Sequence, residues 1–355
     1  MNFASDNTAG VAPEIMQAMV AGNDGFTLGY GNDDLTRSVE TRIGEIFERE
    51  VSVFLVPTGT AANALALAHV SPPWGAVFAH EEAHILTDEC GAPEFFGGGL
   101  KLVGIPGVGC KLAPDALSEK ISHYVGHSPH QVVAAAVSFA QASEAGTIYR
   151  PAEIAALSKV AHAHGMKVHM DGARFANALV RTNASPADVT WRAGVDVLSF
   201  GATKGGAMAA EAVVFFDKAD AKAMAERRKR AGHLLSKHRF LSLQFAAYLA
   251  ADCWLRLARH GNAMADRLAA ELTAAGYVPM WPVEANLVFI EVPKAVETHL
   301  KAAGARYYVR TSASLPPGRT LGPDDVLLRL VTSFATRESE IDRFVALVKE
   351  VARKG

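Results

Sequence analysis

An α/β fold is predicted for the first two-thirds of the chain, with a mostly parallel sheet covered on both faces and a smaller α+β unit behind it. Three observations carry this reading. Short, largely apolar runs stand at 51–57, 75–79, 101–105, 132–139, 167–171, 195–200 and 212–216; strands buried on both faces read as continuous rather than alternating apolar segments. Stretches with helical spacing lie between them at 61–69, 114–124, 151–164 and 173–179, and Pro151 and Gly165 are placed to start and end one of these helices. After residue 227 the pattern changes: 234–276 reads as a long, mostly helical stretch, followed by strands at 286–292 and 326–331 and helices at 297–303 and 338–353. No glycine or proline linker marks the junction, so a boundary near residue 248 divides a large domain, 1–248, from a small C-terminal one, 249–355.

With 355 residues, half of them hydrophobic and a fifth charged, the chain has the composition of an ordinary soluble globular protein and can bury a large core. The formal net charge of −2 gives no reason to expect a polyanionic partner. The basic run Arg227-Arg228-Lys229-Arg230 reads as a solvated helix face, and without aromatic stacking residues nucleic acid is not an expected partner. Cys90, Cys110 and Cys253 lack metal-ligand spacing and are odd in number, which points to a reducing compartment and to no metal. The opening residues have no basic segment followed by an apolar one, and no apolar run approaches transmembrane length. A cytoplasmic protein without membrane contact is expected.

Two strand ends stand out. Val168-His169-Met170-Asp171-Gly172-Ala173-Arg174 stops an apolar run at an aspartate, and Val197-Leu198-Ser199-Phe200-Gly201-Ala202-Thr203-Lys204 stops one at a lysine. Open α/β sheets bind ligands beyond the carboxyl ends of their strands. Alone, an Asp-Gly pair is a turn signal and a Lys-Gly-Gly an ordinary loop. Brought to one sheet edge, a carboxylate and an amine are what pyridoxal phosphate requires: Asp171 to keep the pyridinium nitrogen protonated, Lys204 to form the Schiff base. Thr58-Gly59-Thr60-Ala61-Ala62-Asn63 follows another strand and opens a helix, so Thr58 or Thr60 would cap it and Gly59 would let a phosphate approach its free N–H groups. A dinucleotide fingerprint and a Walker sequence are both absent. His84, with His80 as the alternative, follows the next strand and suits both ring stacking and proton transfer.

Read in order, Ser5-Asp6-Asn7-Thr8, Gly29-Tyr30-Gly31-Asn32-Asp33, Gly59-Thr60 with Asn63, His84, Asp171-Gly172-Ala173-Arg174, Lys204 and Leu328-Arg329-Leu330-Val331-Thr332 give a chain that resembles the low-specificity L-threonine aldolases. These are pyridoxal-phosphate enzymes of the aspartate-aminotransferase fold, fold type I. The resemblance implies that Gly59, Thr60, His84, Asp171, Arg174, Thr203 and Lys204 hold the cofactor and that Ser5, Arg174 and Arg329 hold the amino-acid carboxylate. It implies that Lys204 and His84 are catalytic, and that Tyr30 reaches a neighbouring subunit's site in a homo-oligomer, expected to be a tetramer. The chain departs from many relatives twice. Ala140-Gln141-Ala142-Ser143-Glu144 stands where they carry an asparagine-threonine-histidine segment linked to the substrate's β-hydroxyl. The segment from Gly232 to Arg239 replaces a glycine-rich stretch whose arginine touches phosphate, with Lys237 as the substitute.

The reaction this implies is reversible aldol cleavage of L-threonine, L-allo-threonine or a related β-hydroxy-α-amino acid to glycine and an aldehyde, acetaldehyde for threonine. His84, directly or through a water, would take the hydroxyl proton. A β-eliminating lyase with the same cofactor, releasing a keto acid and ammonia, is the alternative, and a non-catalytic binding protein on the same scaffold is a further one.

Overall fold

The computed structural model describes residues 1–311 and 315–352. Among these residues the strands β1 (Ser52–Val56), β2 (Gly75–His80), β3 (Lys101–Ile105), β4 (Val133–Ala140), β5 (Lys167–Gly172), β6 (Val197–Gly201) and β7 (Glu211–Phe215) form one sheet in the order β1-β7-β6-β5-β4-β2-β3. The pairs from β6 through β3 are parallel, and β7 runs antiparallel to both β1 and β6. It follows that all strands except β7 share one direction and place their carboxyl ends on one edge. Every residue of β2, β6 and β7 is buried, as both-sided helical cover requires. The helix Gly59–Val70 is alanine-rich and buried almost throughout, because side chains that small let it lie directly on the sheet.

A second, antiparallel sheet, β8 (Leu287–Pro293), β9 (Tyr308–Arg310) and β10 (Asp325–Val331) in the order β8-β10-β9, packs with the helices Lys294–Ala302 and Glu338–Ala352. The helix Cys253–Ala274 serves both cores. Cys253, Trp254 and Leu257 pack with Phe175 and Phe200 of the large one, while Met264, Leu268 and Leu272 pack with Val288 and Phe344 of the small one. The N-terminal strap joins the small side too. Phe3 is buried there, its N–H donates to Arg306 O at 2.8 Å, and its carbonyl accepts from Val331 N at 2.8 Å. This anchoring carries Ser5 and Asp6 to the sheet edge.

Three details differ from expectation. The stretch 234–276 is two helices, Arg239–Leu249 and Cys253–Ala274, separated by a turn in which Ala251 (φ 45°) and Asp252 (φ 54°) are left-handed. The helices Pro13–Ala21 and Asp34–Ile46 and the short strand β9 have no counterpart in the sequence reading. The basic run is not uniformly solvated: in the helix Met224–Arg230, Arg228 is half-buried over the Phe54 ring and its Nη1 donates to Leu55 O at 3.1 Å. The last helix is described to Ala352, so Arg353 lies outside the described residues. No helix among the described residues is long and apolar enough to cross a membrane.

Candidate active site

The residues at the sheet edge converge because β5 and β6 lie side by side, Asp171 in register with Ser199. Glycine makes that approach possible: a Cβ at Gly201 would stand 2.8 Å from Ala173 Cα. Asp171, Lys204, His84, Ser5, Arg174 and Arg329 line one cavity of about 440 Å³, a size suited to a small-molecule ligand.

Asp171 is buried, its Oδ2 accepting from Asn63 Nδ2 at 2.9 Å and its Oδ1 from Ala173 N at 2.9 Å. Burial alone would raise its carboxyl, but the Lys204 charge, the Ala173 N–H, His84 and His169 outweigh that and hold it below the ordinary aspartate value. Asn63 sits one turn into the helix that begins at Gly59, so one helix links the orientation of Asp171 to the anion-binding end. Lys204 makes no side-chain hydrogen bond among the described residues. Burial, aided by the Arg174 charge, pushes its amine below the usual lysine range, as a nucleophilic amine requires.

His84 lies just beyond β2, where Nδ1–H donates to Glu89 Oε1 at 2.9 Å. Glu89 also accepts from Asn63 Nδ2 at 2.8 Å. The Glu89 bond pulls the imidazole upward while burial pushes the Glu89 carboxyl upward, so the pair holds its shared proton tightly. That fixes the ring and leaves Nε2 towards the cavity. His80 has a structural role instead: its Nε2 donates to Gly107 O at 3.1 Å, and Nδ1 accepts from Glu82 N at 3.1 Å.

Two arginines enter from opposite sides. Arg174 is already engaged, its Nε and Nη2 donating to Asp6 at 2.7 and 3.0 Å, and Asp6 also accepts from Asn286 Nδ2 at 3.1 Å. Arg329, on β10, has no hydrogen-bond or ion-pair partner among the described residues, and its Nε is buried without one. Burial, with the Arg174 and Arg310 charges, works against its own charge and pulls it down to about 9. An incoming carboxylate would relieve that cost. Ser5 lies beside them, its Oγ accepting from Asn7 N at 3.2 Å.

At the other end, Thr58 caps the helix Gly59–Val70, its Oγ1 accepting from Ala61 N at 3.1 Å. A Cβ on Gly59 would meet nothing within 4 Å, so there is room beside the first turn of this helix, whose N–H groups have no partner within the helix. Thr203 adjoins Lys204, its Oγ1 accepting from Ala210 N at 3.1 Å. Tyr30 and Lys237 lie elsewhere, together. Tyr30 is half-exposed, its N–H donates to Ser236 O at 3.0 Å, and Lys229 Nζ stands 4.8 Å from the centre of its ring. Sequence reasoning missed Asn63 as the partner of Asp171, Glu89 as the partner of His84, and Asp6 as the partner of Arg174.

These features fit pyridoxal phosphate. The buried aspartate, the partnerless amine, the open helix N-terminus and the orphaned guanidinium correspond to its ring nitrogen, its carbonyl, its phosphate and a bound amino acid's carboxylate.

Residues 2–295 match the family described as beta-eliminating lyase. The low specificity L-threonine aldolase of Pseudomonas aeruginosa is 43% identical over 309 residues, which are 86% of this chain and 88% of that protein. Its namesake from a second Pseudomonas strain is 41% identical over 308 residues, with the same shares. Among solved structures, threonine aldolase of Leishmania major superposes with a TM-score of 0.91 at 30% identity, covering 99% of both chains. A serine palmitoyltransferase of Sphingomonas wittichii, at 12% identity and a TM-score of 0.72, shares the fold. With this similarity spread over nearly the whole length, the chain belongs to the low specificity L-threonine aldolase family of the beta-eliminating lyases, fold type I enzymes dependent on pyridoxal phosphate.

Proposed function

We propose that the protein cleaves L-threonine, L-allo-threonine and related β-hydroxy-α-amino acids reversibly to glycine and an aldehyde. The observation that carries this reading is a partnerless guanidinium, Arg329, in the cavity that also presents Lys204 and Asp171. It supplies a carboxylate anchor beside the amine and the carboxylate that the cofactor needs. Lys204 would hold the cofactor carbonyl, Gly59, Thr60 and Thr203 its phosphate end, and Asp171 its ring nitrogen, with His84 over the ring. When bound, pyridoxal phosphate supplies the sink for the electrons of the bond broken at Cα.

The protein groups decide which bond that is. Arg329, with Ser5 and the remaining Arg174 N–H, fixes the substrate carboxylate, and a fixed carboxylate sets the rotation about Cα so that the Cα–Cβ bond is the one aligned for cleavage. Asp171, held below the ordinary aspartate value, would keep the cofactor's ring nitrogen protonated. His84 is committed through Nδ1, so Nε2 is the atom left to exchange a proton with substrate or water. The test is aldehyde release from L-threonine and L-allo-threonine by the cofactor-loaded protein. Glycine and acetaldehyde in equal amounts are expected; a keto acid with ammonia would instead establish β-elimination.

The same reading extends to assembly and compartment. Tyr30 lies outside its own chain's cavity on a loop that also exposes Phe26 and Leu28, which supports a homo-oligomer, expected to be a tetramer, in which Tyr30 and the adjacent Lys237 complete a neighbour's site. Co-assembling inactive Tyr30→Ala and Lys204→Ala chains should regain activity, about a quarter of wild type for random one-to-one dimers. Mixtures as inactive as their parents would place Tyr30 in its own chain's site or outside any. The three free cysteines support a reducing, cytoplasmic setting.

A further inference from the structure

Four residues beyond β4, on the same edge of the sheet, Glu144 enters the cavity of Lys204 and Asp171. Its Oε1 accepts from the backbone N–H of His84 at 3.0 Å, which pins the carboxyl against the start of the His84 segment. Its other oxygen has no side-chain partner among the described residues. The other acids near the cavity are committed: Asp171 to Asn63 and Ala173, Asp6 to Arg174 and Asn286, Glu89 to His84 and Asn63, and Asp88 to Thr87. A side cavity of about 110 Å³ adjoins the main one, walled by Ala145, Cys110, Thr87 and Phe289, and Glu144 lines both. Glu82, Asp88 and Arg310 complete its wall, and Asp88 and Arg310 are shared with the main cavity. Glu144 therefore stands where the two cavities meet.

We propose that Glu144, in place of His84, is the catalytic base that accepts the proton of the β-hydroxyl, which leaves His84 to stack on the ring, and that the side cavity behind Glu144 receives the carbon chain of the departing aldehyde. The proposal rests on the aldol reading above. The hydroxyl O–H breaks and its proton passes to a Glu144 oxygen. The O–H electron pair becomes the second bond of the aldehyde carbonyl. The Cα–Cβ pair is left at Cα, for which bound pyridoxal phosphate would be the sink; a proton from solvent then completes glycine at Cα, and Glu144 releases its own proton to solvent. In synthesis Glu144 returns its proton to the new hydroxyl. Burial raises its carboxyl to about 7, the Asp171 charge adding to the rise and the His84 N–H opposing it, so near neutrality it can both take and return a proton. The other charged or titratable groups around it are His84, Glu82, Asp88, Cys110, Tyr149 and Arg310.

The test is Glu144→Gln in the cofactor-loaded protein, read in two reactions. Aldehyde release from L-threonine should fall roughly 10²- to 10⁴-fold. Exchange of the glycine α-proton with deuterated solvent, which uses Lys204, Asp171 and Arg329 but no hydroxyl, should persist. Glu144→Asp, which keeps an acid but withdraws it, should cleave at a rate between Gln and wild type. A third readout needs no catalysis. A carboxyl raised in the folded state costs stability as pH climbs from its unfolded value towards about 7. In the cofactor-free proteins the melting temperature of Glu144→Gln relative to wild type should therefore be higher above neutral pH than in mild acid. Equal losses of cleavage and glycine exchange in the Gln variant, or undiminished cleavage, would overturn the assignment. A wild type that exchanges glycine but releases no aldehyde would overturn the aldol reading itself.

Discussion

Lys204→Ala is expected to lower aldehyde release by on the order of 10⁴-fold or more, the scale on which removing an indispensable member of a catalytic constellation acts. The reason lies in how little else this side chain does. It makes no side-chain hydrogen bond among the described residues, and burial and the Arg174 charge both oppose its protonation. Its removal should leave the cofactor-free protein as stable as wild type, or slightly more so. One interaction is lost: the Lys204 charge helps to hold Asp171 and Asp6 ionised. Their carboxyls should therefore titrate at higher pH in the variant while staying tied to Asn63, Arg174 and Asn286. Steady-state kinetics, the visible absorption of the cofactor-loaded protein and a thermal melt check this together. Substantial aldehyde release from a folded Lys204→Ala protein would remove Lys204 from the chemistry.

The sequence reveals those parts of the site that punctuate a periodic signal. Asp171 and Lys204 were visible because each ends an apolar run, and the ends of like-directed strands share an edge. Thr58 and Gly59 were visible because capping is local: the bond from Ala61 N to Thr58 Oγ1 spans three residues. The partners that tune these groups are not local. Asn63 meets Asp171 across 108 residues and Asp6 meets Arg174 across 168, separations over which no spacing rule operates. Glu89 is only five residues from His84, but the segment between them is a single helical turn, His84–Thr87, too short to carry a period. The resemblance gave the substrate carboxylate to Arg174 and Arg329 with Ser5; what it did not show is that Asp6 occupies Nε and Nη2 of Arg174, while the Arg329 guanidinium has no partner among the described residues.

The fold shows the same division. Apolar runs located the strands of the large sheet but not the reversed direction of β7, since burial on both faces looks alike in either direction. Alanine and leucine carried a helical pattern through 250–252, where the chain breaks at Ala251 and Asp252 without a glycine to signal it. β9 was illegible because it is three mostly exposed residues, too few to alternate. Yet this strand brings Tyr308 and Arg310 to the cavity wall, so a functional edge came from the segment with the least pattern.

Asp171→Asn and Asp171→Ala both remove the charge and differ in the hydrogen bonding they keep: asparagine retains one accepting oxygen for the two donors, Asn63 Nδ2 and Ala173 N, and alanine retains none. Asparagine keeps the shape but cannot hold a proton on the ring nitrogen, so cleavage should fall roughly 10²- to 10³-fold, the scale of removing one preorganised electrostatic group. Alanine should lose as much activity and also about 1–3 kcal/mol of stability, because the Ala173 N–H and one N–H of the Asn63 amide, whose other bond to Glu89 remains, are left unpaired in a buried site. The sign with pH follows from the lowered carboxyl. A group depressed in the folded state stabilises at pH above its unfolded value, and that contribution is lost as pH falls through the folded value. For Asp171 the loss lies below the ordinary carboxylate range. Across neutral pH it stays charged and leaves no inflection in the rate profile, whereas Glu144, raised to about 7, should leave one. Rate profiles of wild type, Asp171→Asn and Glu144→Gln decide the matter. The Glu144 inflection should survive in the first two and be lost in the third, where Glu211, also raised to about 7, and His84 are the groups left to titrate near neutrality; its loss in Asp171→Asn would mean that the titrating group is Asp171 and that the partners seen here do not hold it ionised.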